Sequence, residues 1–159
     1  MKNHDHEKDA AQSLCISCGL CCDGTIFDRA PITTEDDDVS LKIAGITVVR
    51  LGDSRHFMLP CRHLRHRRCD IYHEWRPRIC SQFRCKVLNQ YMRGEISFEQ
   101  GLEIIAKTLA HVAELKSQIQ STDGSPKASL TSIFEAWEKR QMTPDQSINL
   151  NFAAFKYRI

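Results

Sequence analysis

Apolar residues recur at alternating spacings of four and three in the second half of the chain: Phe98, Leu102, Ile105, Leu109 and Val112. This period predicts one helix with a single apolar stripe. Ser97 precedes the stripe and Gln100 follows three residues later, which is the pattern of a capping box at the helix start. We expect the stripe to pack on the protein's own core, with a helix–helix dimer seam as the alternative.

Turn-forming residues over 121–126 are expected to end this helix. A second helix is predicted around 129–141, with its apolar residues on one side: Leu130, Ile133, Phe134 and Trp137. Three aromatic residues within 146–159 suggest that the C-terminal tail docks on the protein: Phe152, Phe155 and Tyr157.

The segment from Thr34 to Gly45 predicts a short helix. Thr34 stands at the N-cap position, acidic residues fill the first turn, and Gly45 stands where a left-handed C-cap belongs. The acidic run lacks the alternating ligand spacing of a calcium loop. Residues 46–50 are mostly β-branched and predict a strand that pairs with 55–59 as a hairpin.

These patterns predict an α+β fold that is mainly α. We expect a small irregular cysteine/metal-centred domain with a short β-hairpin and C-terminal helices. The expected organisation is a disordered N-terminal tail over 1–13, a cysteine-cluster metal-binding domain over 14–93, and a helical C-terminal extension over 94–159 that packs on it.

The length of 159 residues, with 42% hydrophobic and 26% charged residues, suits one globular domain and argues against wholesale disorder. No apolar run approaches the roughly 18 residues of a membrane helix, and the first fourteen residues lack the apolar stretch of a secretory signal. We therefore expect a cytoplasmic protein without membrane association.

Positive charge is concentrated in residues 50–93. This segment contains ten Arg and one Lys but only three acidic residues, whereas the whole chain has a net charge of only +2. This basic segment is compatible with binding phosphate or nucleic acid. The same segment contains four cysteines, so its positive charge is also suited to offsetting the negative charge of thiolates. We favour the second interpretation, because it explains the arginines and the cysteines together.

Eight cysteines form two groups: Cys15, Cys18, Cys21 and Cys22, then Cys61, Cys69, Cys80 and Cys85. A C-x2-C pair lets two sulfurs turn toward one ion, and Gly19 lets the chain curl round it. The spacing of the first group is similar to the start of a ferredoxin loop, but its fourth cysteine is adjacent to the third and is followed by Asp23. Zinc and iron–sulfur therefore both stay open, and the division of eight thiols into two sets of four is not readable from the sequence.

Three other roles for the cysteines are weaker. Inert buried thiols do not explain the tight spacing, and disulfides are unexpected without an export signal. Nothing singles out one cysteine as a nucleophile paired with His63, His66 or His73. We expect those histidines to face solvent or to support the ligands rather than to bind metal themselves.

The pattern CxxCGxCCDGTxF, followed by PC and CxIYxxRPxxCxxFxC, resembles the YkgJ-type cysteine-cluster family, also called the CxxCxxCC or zinc- or iron-chelating domain. The resemblance covers about residues 15–88 and includes Ile71-Tyr72 and Arg76-Pro77. It implies that all eight cysteines are metal ligands. Ser81 departs from the pattern, because many relatives carry Arg there. The resemblance implies chelation and no particular reaction.

The sequence thus predicts a metal-chelating protein that holds zinc or iron, including iron as an iron–sulfur cluster. The alternatives are a nucleic-acid-binding zinc module that uses residues 50–93, for which no motif is present, and an iron–sulfur electron-transfer component. An enzyme is less favoured, because phosphate loops, dinucleotide fingerprints and hydrolase motifs are absent. A protein partner is compatible with the sequence, which does not identify one.

Overall fold

The computed structural model describes residues 3–123 and 129–139. Within these ranges it contains six helices: α1 (Asn3–Cys18), α2 (Asp38–Ile43), α3 (Arg78–Gln82), α4 (Lys86–Met92), α5 (Phe98–Asp123) and α6 (Leu130–Lys139). Its five strands are β1 (Arg29–Ile32), β2 (Val48–Leu51), β3 (Ser54–Met58), β4 (Leu64–Arg65) and β5 (Arg68–Cys69). The predicted α+β fold, mainly α, is confirmed. None of the described helices is long and apolar enough to cross a membrane.

The chain divides into two compact units, which are described separately. The helical unit contains residues 3–18 and the described residues from Arg84 onward. The cysteine–sheet unit contains Gly19–Phe83. This division differs from the expected domains 14–93 and 94–159, because the first cysteine group is cut after Cys18.

In the helical unit, α1 packs on α4 and α5. Leu14 of α1 is fully buried against Val87 and Ile105, and its Cδ2 lies 2.9 Å from where a Cβ on Gly101 would stand. Residues 3–13, which were expected to form part of a disordered tail, belong to this helix. A polar segment rich in good helix formers becomes helical here because tertiary packing anchors its last turns.

The capping box of α5 is confirmed. The Gln100 side chain accepts from the Ser97 N–H at 2.7 Å, and the Ser97 hydroxyl accepts from the Gln100 N–H at 3.2 Å. Later residues of the helix are buried: Ile105, Val112, Leu115 and Ile119. Leu102 was wrongly expected in the buried stripe, and it is 36% exposed.

Helix α6 confirms the predicted second C-terminal helix, with Leu130 and Phe134 buried. The Ser129 hydroxyl accepts from the Ser132 N–H at 3.1 Å and caps the helix start. Helix α5 runs to Asp123, so only the first part of the predicted break is described. The side chain of Trp137 and the predicted docking tail over 146–159 lie outside the described residues.

In the cysteine–sheet unit, α2 begins later than predicted. Asp37, not Thr34, is the N-cap, and its carboxylate accepts from the Ser40 N–H at 2.7 Å. Gly45 has a φ of +65° directly after the helix, and its N–H donates to the Lys42 carbonyl at 2.9 Å. The predicted left-handed glycine at the helix end is confirmed.

The predicted hairpin is confirmed as β2 and β3, which pair antiparallel with Val48 opposite Phe57. Strand β1 adds a third strand on the other side of β3, giving the order β1-β3-β2. Sequence reasoning missed β1 because it has only four residues and contains Pro31, which is disfavoured inside strands. The core below this sheet is apolar: Ile32, Leu41, Ile46 and Phe57.

Candidate metal centre

All eight cysteines are in the reduced form and are half-buried. They are divided between the units. The helical unit contains Cys15, Cys18 and Cys85, and the cysteine–sheet unit contains Cys21, Cys22, Cys61, Cys69 and Cys80. The first group is therefore not one continuous loop, because Cys15 and Cys18 lie on α1.

A tight turn follows α1 at Gly19, whose φ is +69°. The N–H groups of Cys22 and Asp23 both donate to the Gly19 carbonyl, at 3.0 and 3.1 Å. A Cβ at this position would stand 2.8 Å from the main-chain oxygen of Arg67. The predicted curling of the chain at Gly19 is confirmed, and the turn is packed against the β4–β5 hairpin.

Backbone hydrogen bonds connect the second cysteine group to the first. The Cys61 N–H donates to the Cys22 carbonyl at 2.7 Å. Beyond Cys61, the chain forms the short β4–β5 hairpin, in which Leu64 is paired with Cys69. Cys61 and Cys69 therefore lie just before and at the end of one small hairpin.

The thiols of Cys61, Cys69 and Cys80 interact electrostatically. Burial raises the pKa of the Cys61 thiol, the His63 N–H opposes this rise, and the Cys69 thiol adds to it. Burial raises the pKa of the Cys80 thiol to about 12, with further increases from Cys61 and Cys69. Both pKa values rise for the same reason. A thiolate at either position would lose its hydration and would be repelled by the neighbouring cysteine thiolates.

Helix α3 carries Cys80 and is fixed at its start by Asp36. This carboxylate is 3% exposed and accepts from the Arg78 N–H at 2.8 Å. It also accepts from the N–H and the hydroxyl of Thr33, both at 3.0 Å. Asp36 thus positions the start of the helix that carries Cys80. The sequence analysis had placed the acidic run that contains Asp36 only in the first turn of a predicted helix. The place of Asp36 among four acidic residues gave no signal that it alone would be buried.

Arg76 precedes α3 and stacks on Tyr72, with its guanidinium carbon 4.0 Å from the ring centroid. Its positive charge lowers the pKa of the Cys80 thiol and so opposes the effect of burial. Arg76 therefore interacts both with an aromatic ring and, electrostatically, with a cysteine thiol. This interaction is of the kind that the second interpretation of the basic segment requires, since it would favour a thiolate at Cys80.

In the helical unit, Cys18 and Cys85 both pack against the cluster formed by Leu14, Val87 and Ile105. Cys85 is the N-cap residue of α4. Cys15 precedes Cys18 by three residues on α1, which puts both on one helix face. The helical unit therefore has its own set of three thiols.

The three histidines near the second group take separate places. His63 Nε2 lies 2.6 Å from the Ala44 carbonyl, so this nitrogen donates to the end of α2. His66 has a φ of +47° in the β4–β5 turn and is exposed. His73 is exposed beside the Tyr72 ring.

The chemistry of these donors fits a thiophilic metal, because all eight thiols are reduced and half-buried, and the thiols of Cys61, Cys69 and Cys80 interact electrostatically. Within residues 3–123 and 129–139, no group of three or more Cys, His, Asp or Glu side chains is arranged to hold an ion as it stands. Coordination therefore requires the thiols to rotate or move toward a common point.

A family described as "CxxCxxCC: Putative zinc- or iron-chelating domain" matches residues 14–109, which is more than half of the chain. No curated protein and no solved structure matches the chain significantly. The matched region includes all eight cysteines and extends into α5. The chain belongs to the CxxCxxCC family.

Proposed function

We propose that the chain is a zinc- or iron-chelating protein whose eight cysteines are the ligands: Cys15, Cys18, Cys21, Cys22, Cys61, Cys69, Cys80 and Cys85. One observation carries the proposal: burial raises the pKa of the Cys80 thiol, and the neighbouring Cys61 and Cys69 thiols raise it further, so these three segments bring their thiols together. A divalent cation removes the cost of ionising these thiols, because it binds thiolates and replaces their protons. When bound, the ion supplies a cross-link between segments that are distant in sequence.

Within the cysteine–sheet unit, the proposed first site uses Cys61, Cys69 and Cys80. The fourth ligand comes from the Cys21–Cys22 pair, since the Cys61 N–H holds the Cys22 backbone at 2.7 Å. Adjacent cysteines chelate one ion only with strain, so one member of the pair suffices. The three thiols of the helical unit belong to a second donor set.

The role that follows is structural rather than catalytic. Four thiolates close the coordination of zinc and leave no position for substrate. Arg76 offsets part of the anionic charge of such a site, and Asp36 positions the helix that carries Cys80. Free thiols persist as ligands in a reducing compartment, which is why we propose the cytoplasm as the location.

Metal content tests the proposal directly. Protein purified without air is analysed for zinc and iron, together with Cys80→Ser and the neighbouring control Ser81→Ala. We expect about two ions for each wild-type chain, because each of the two donor sets contains at least three thiols, enough to hold one ion. Cys80→Ser should lose one of them and Ser81→Ala none.

Unchanged metal content in Cys80→Ser, or only trace metal in the wild type, would refute the proposal. Cys85→Ser provides a second comparison, because it removes a thiol of the helical unit. We expect it to leave the site of the cysteine–sheet unit loaded. Zinc would indicate a closed structural site, whereas iron in multiples with sulfide would indicate a cluster.

A further inference from the structure

A cavity of about 530 Å³ lies in the cysteine–sheet unit, and it is lined by α2, the segment after it and strands β2 and β3. This volume lies within the range of about 300–1,000 Å³ typical of small-molecule sites. Buried Leu41 and Ile46 form an apolar part of its wall. Its charged lining residues are Asp38, Lys42, Arg50 and Arg55. None of these residues is a proposed metal ligand.

The strand register places two of these cations against each other. Arg50 of β2 lies directly opposite Arg55 of β3. Opposed residues in an antiparallel pair have Cβ atoms about 4.5–5.5 Å apart, and like charges in this position destabilise the pair. Asp38 forms an ion pair with Arg55 and offsets one of the two charges. No ion pair to Arg50 is present among the described residues.

The remaining charge specifies the class of ligand. Three cations and one carboxylate line the cavity, which leaves a net charge of +2. A fourth cation stands at the edge, since Arg62 Nη1 donates to the carbonyl of Gly45, a lining residue, at 2.6 Å. A phosphate monoester carries about −1.5 to −2 at pH 7, whereas a monocarboxylate carries only one negative charge. Guanidinium groups bind phosphate oxygens in a bidentate manner.

We propose that this cavity binds a small organic phosphate, with the exposed cations Arg50 and Lys42 on the phosphate and the apolar body against the half-buried Val48. The ligand stabilises the hairpin because it offsets the repulsion between Arg50 and Arg55. The cavity is lined by no proposed metal ligand, although Cys80 packs against the apolar cluster that includes Leu41 and Ile46.

Calorimetric titration of the metal-loaded full chain tests the proposal, with phenyl phosphate as the probe and benzoate as the comparison at constant ionic strength. The variant is Arg50→Gln. Its matched control is Arg29→Gln, which removes one exposed arginine from β1, outside the cavity lining. We expect saturable binding of phenyl phosphate to the wild type and to Arg29→Gln, and binding to Arg50→Gln that is weaker by about tenfold or more.

Thermal unfolding separates this effect from misfolding. Without ligand, Arg50→Gln should unfold at or above the wild-type temperature, because the substitution removes the cross-strand repulsion. Phenyl phosphate should raise the unfolding temperature of the wild type more than that of Arg50→Gln. The proposal is overturned if the wild type shows no saturable binding at millimolar phenyl phosphate. Equal weakening in Arg29→Gln, or equally tight benzoate binding, also overturns it.

Discussion

The main-chain N–H of Cys61 donates a hydrogen bond to the main-chain oxygen of Cys22 across 2.7 Å. This bond joins the two cysteine groups through their backbones, so it does not depend on the ionisation state of either thiol. The hydrogen bond therefore holds the backbones of the two segments side by side, which limits how far apart their thiols can lie.

Removal of metal should unfold the cysteine-rich segment while the long helix persists. Structural zinc contributes about 10–16 kcal/mol in finger peptides, whereas a whole domain is stable by only about 5–15 kcal/mol. After chelation, we expect new proteolytic cleavage within residues 15–85 and continued protection of residues 97–120. Circular dichroism and proteolysis patterns that stay the same after chelation would contradict this expectation.

Gly19→Ala should destabilise the protein more than Gly52→Ala. Both glycines have positive φ values, +69° and +60°, so both substitutions incur the left-handed penalty of about 1–2 kcal/mol. Only at Gly19 does the new Cβ meet backbone, the Arg67 oxygen at 2.8 Å, while nothing lies within 4 Å at Gly52. Denaturant unfolding of the two variants measures the difference. Equal losses of stability would show that the close approach has no energetic consequence.

Asp36→Ala should destabilise the cysteine–sheet unit and weaken metal retention together. The substitution leaves the Arg78 N–H and the Thr33 N–H without their acceptor, and one orphaned buried donor costs about 1–3 kcal/mol. Urea unfolding and metal content are measured in the same preparations. Asp53→Ala is the control, because this aspartate is exposed in the β2–β3 turn. Wild-type metal retention in a destabilised Asp36→Ala protein would separate Asp36 from the site.

Arg76→Gln should weaken metal binding without a comparable loss of fold stability. The substitution removes the positive charge that favours the Cys80 thiolate, and substitutions of such supporting residues typically cost about 10–100-fold in metal affinity. Competition with a chromophoric chelator measures the effect. Arg76→Lys should restore part of the affinity, because it keeps the charge and loses the planar stack on Tyr72. A lysine variant no better than the glutamine variant would argue against an electrostatic role.

Leu14→Ala should destabilise the helical unit by about 2–5 kcal/mol, since Leu14 is fully buried. Met92→Ala is the control in the same unit, because Met92 is 53% exposed. Thermal unfolding followed by the helical circular dichroism signal measures both. If the two variants were equally stable, α1 would contribute little to the unit.

Sequence reasoning predicted the elements whose signals are local. The capping box of Ser97 and Gln100, the left-handed Gly45 and the β2–β3 hairpin each depend on residues a few positions apart, and each is confirmed. Helix α1 and strand β1 were missed because their formation depends on distant partners. A polar N-terminal segment shows no apolar period, and the pairing of β1 with β3 leaves no trace in four residues.

For the candidate site too, local sequence signals predicted some features, whereas others depend on tertiary packing. The C-x2-C spacing pointed to the first group as candidate ligands, and the resemblance to a known family extended that prediction to all eight cysteines. Burial of Asp36 and the proximity of Cys61, Cys69 and Cys80 follow from tertiary packing, which no spacing rule encodes. Asp37 rather than Thr34 caps α2. The sequence does not distinguish them, because both residue types are favoured at the N-cap position.

The helical unit is formed by two stretches of chain that are separated in sequence. Chain order places the cysteine–sheet unit as a contiguous insert, Gly19–Phe83, between two parts of the helical unit. Its points of departure and return lie close together in that host, because Cys18 and Cys85 pack against one hydrophobic cluster. An insert with neighbouring ends can be lengthened, shortened or exchanged with little strain on its host. Cys18 and Cys85, the proposed metal ligands at the two junctions, would then be the residues that such exchanges must keep.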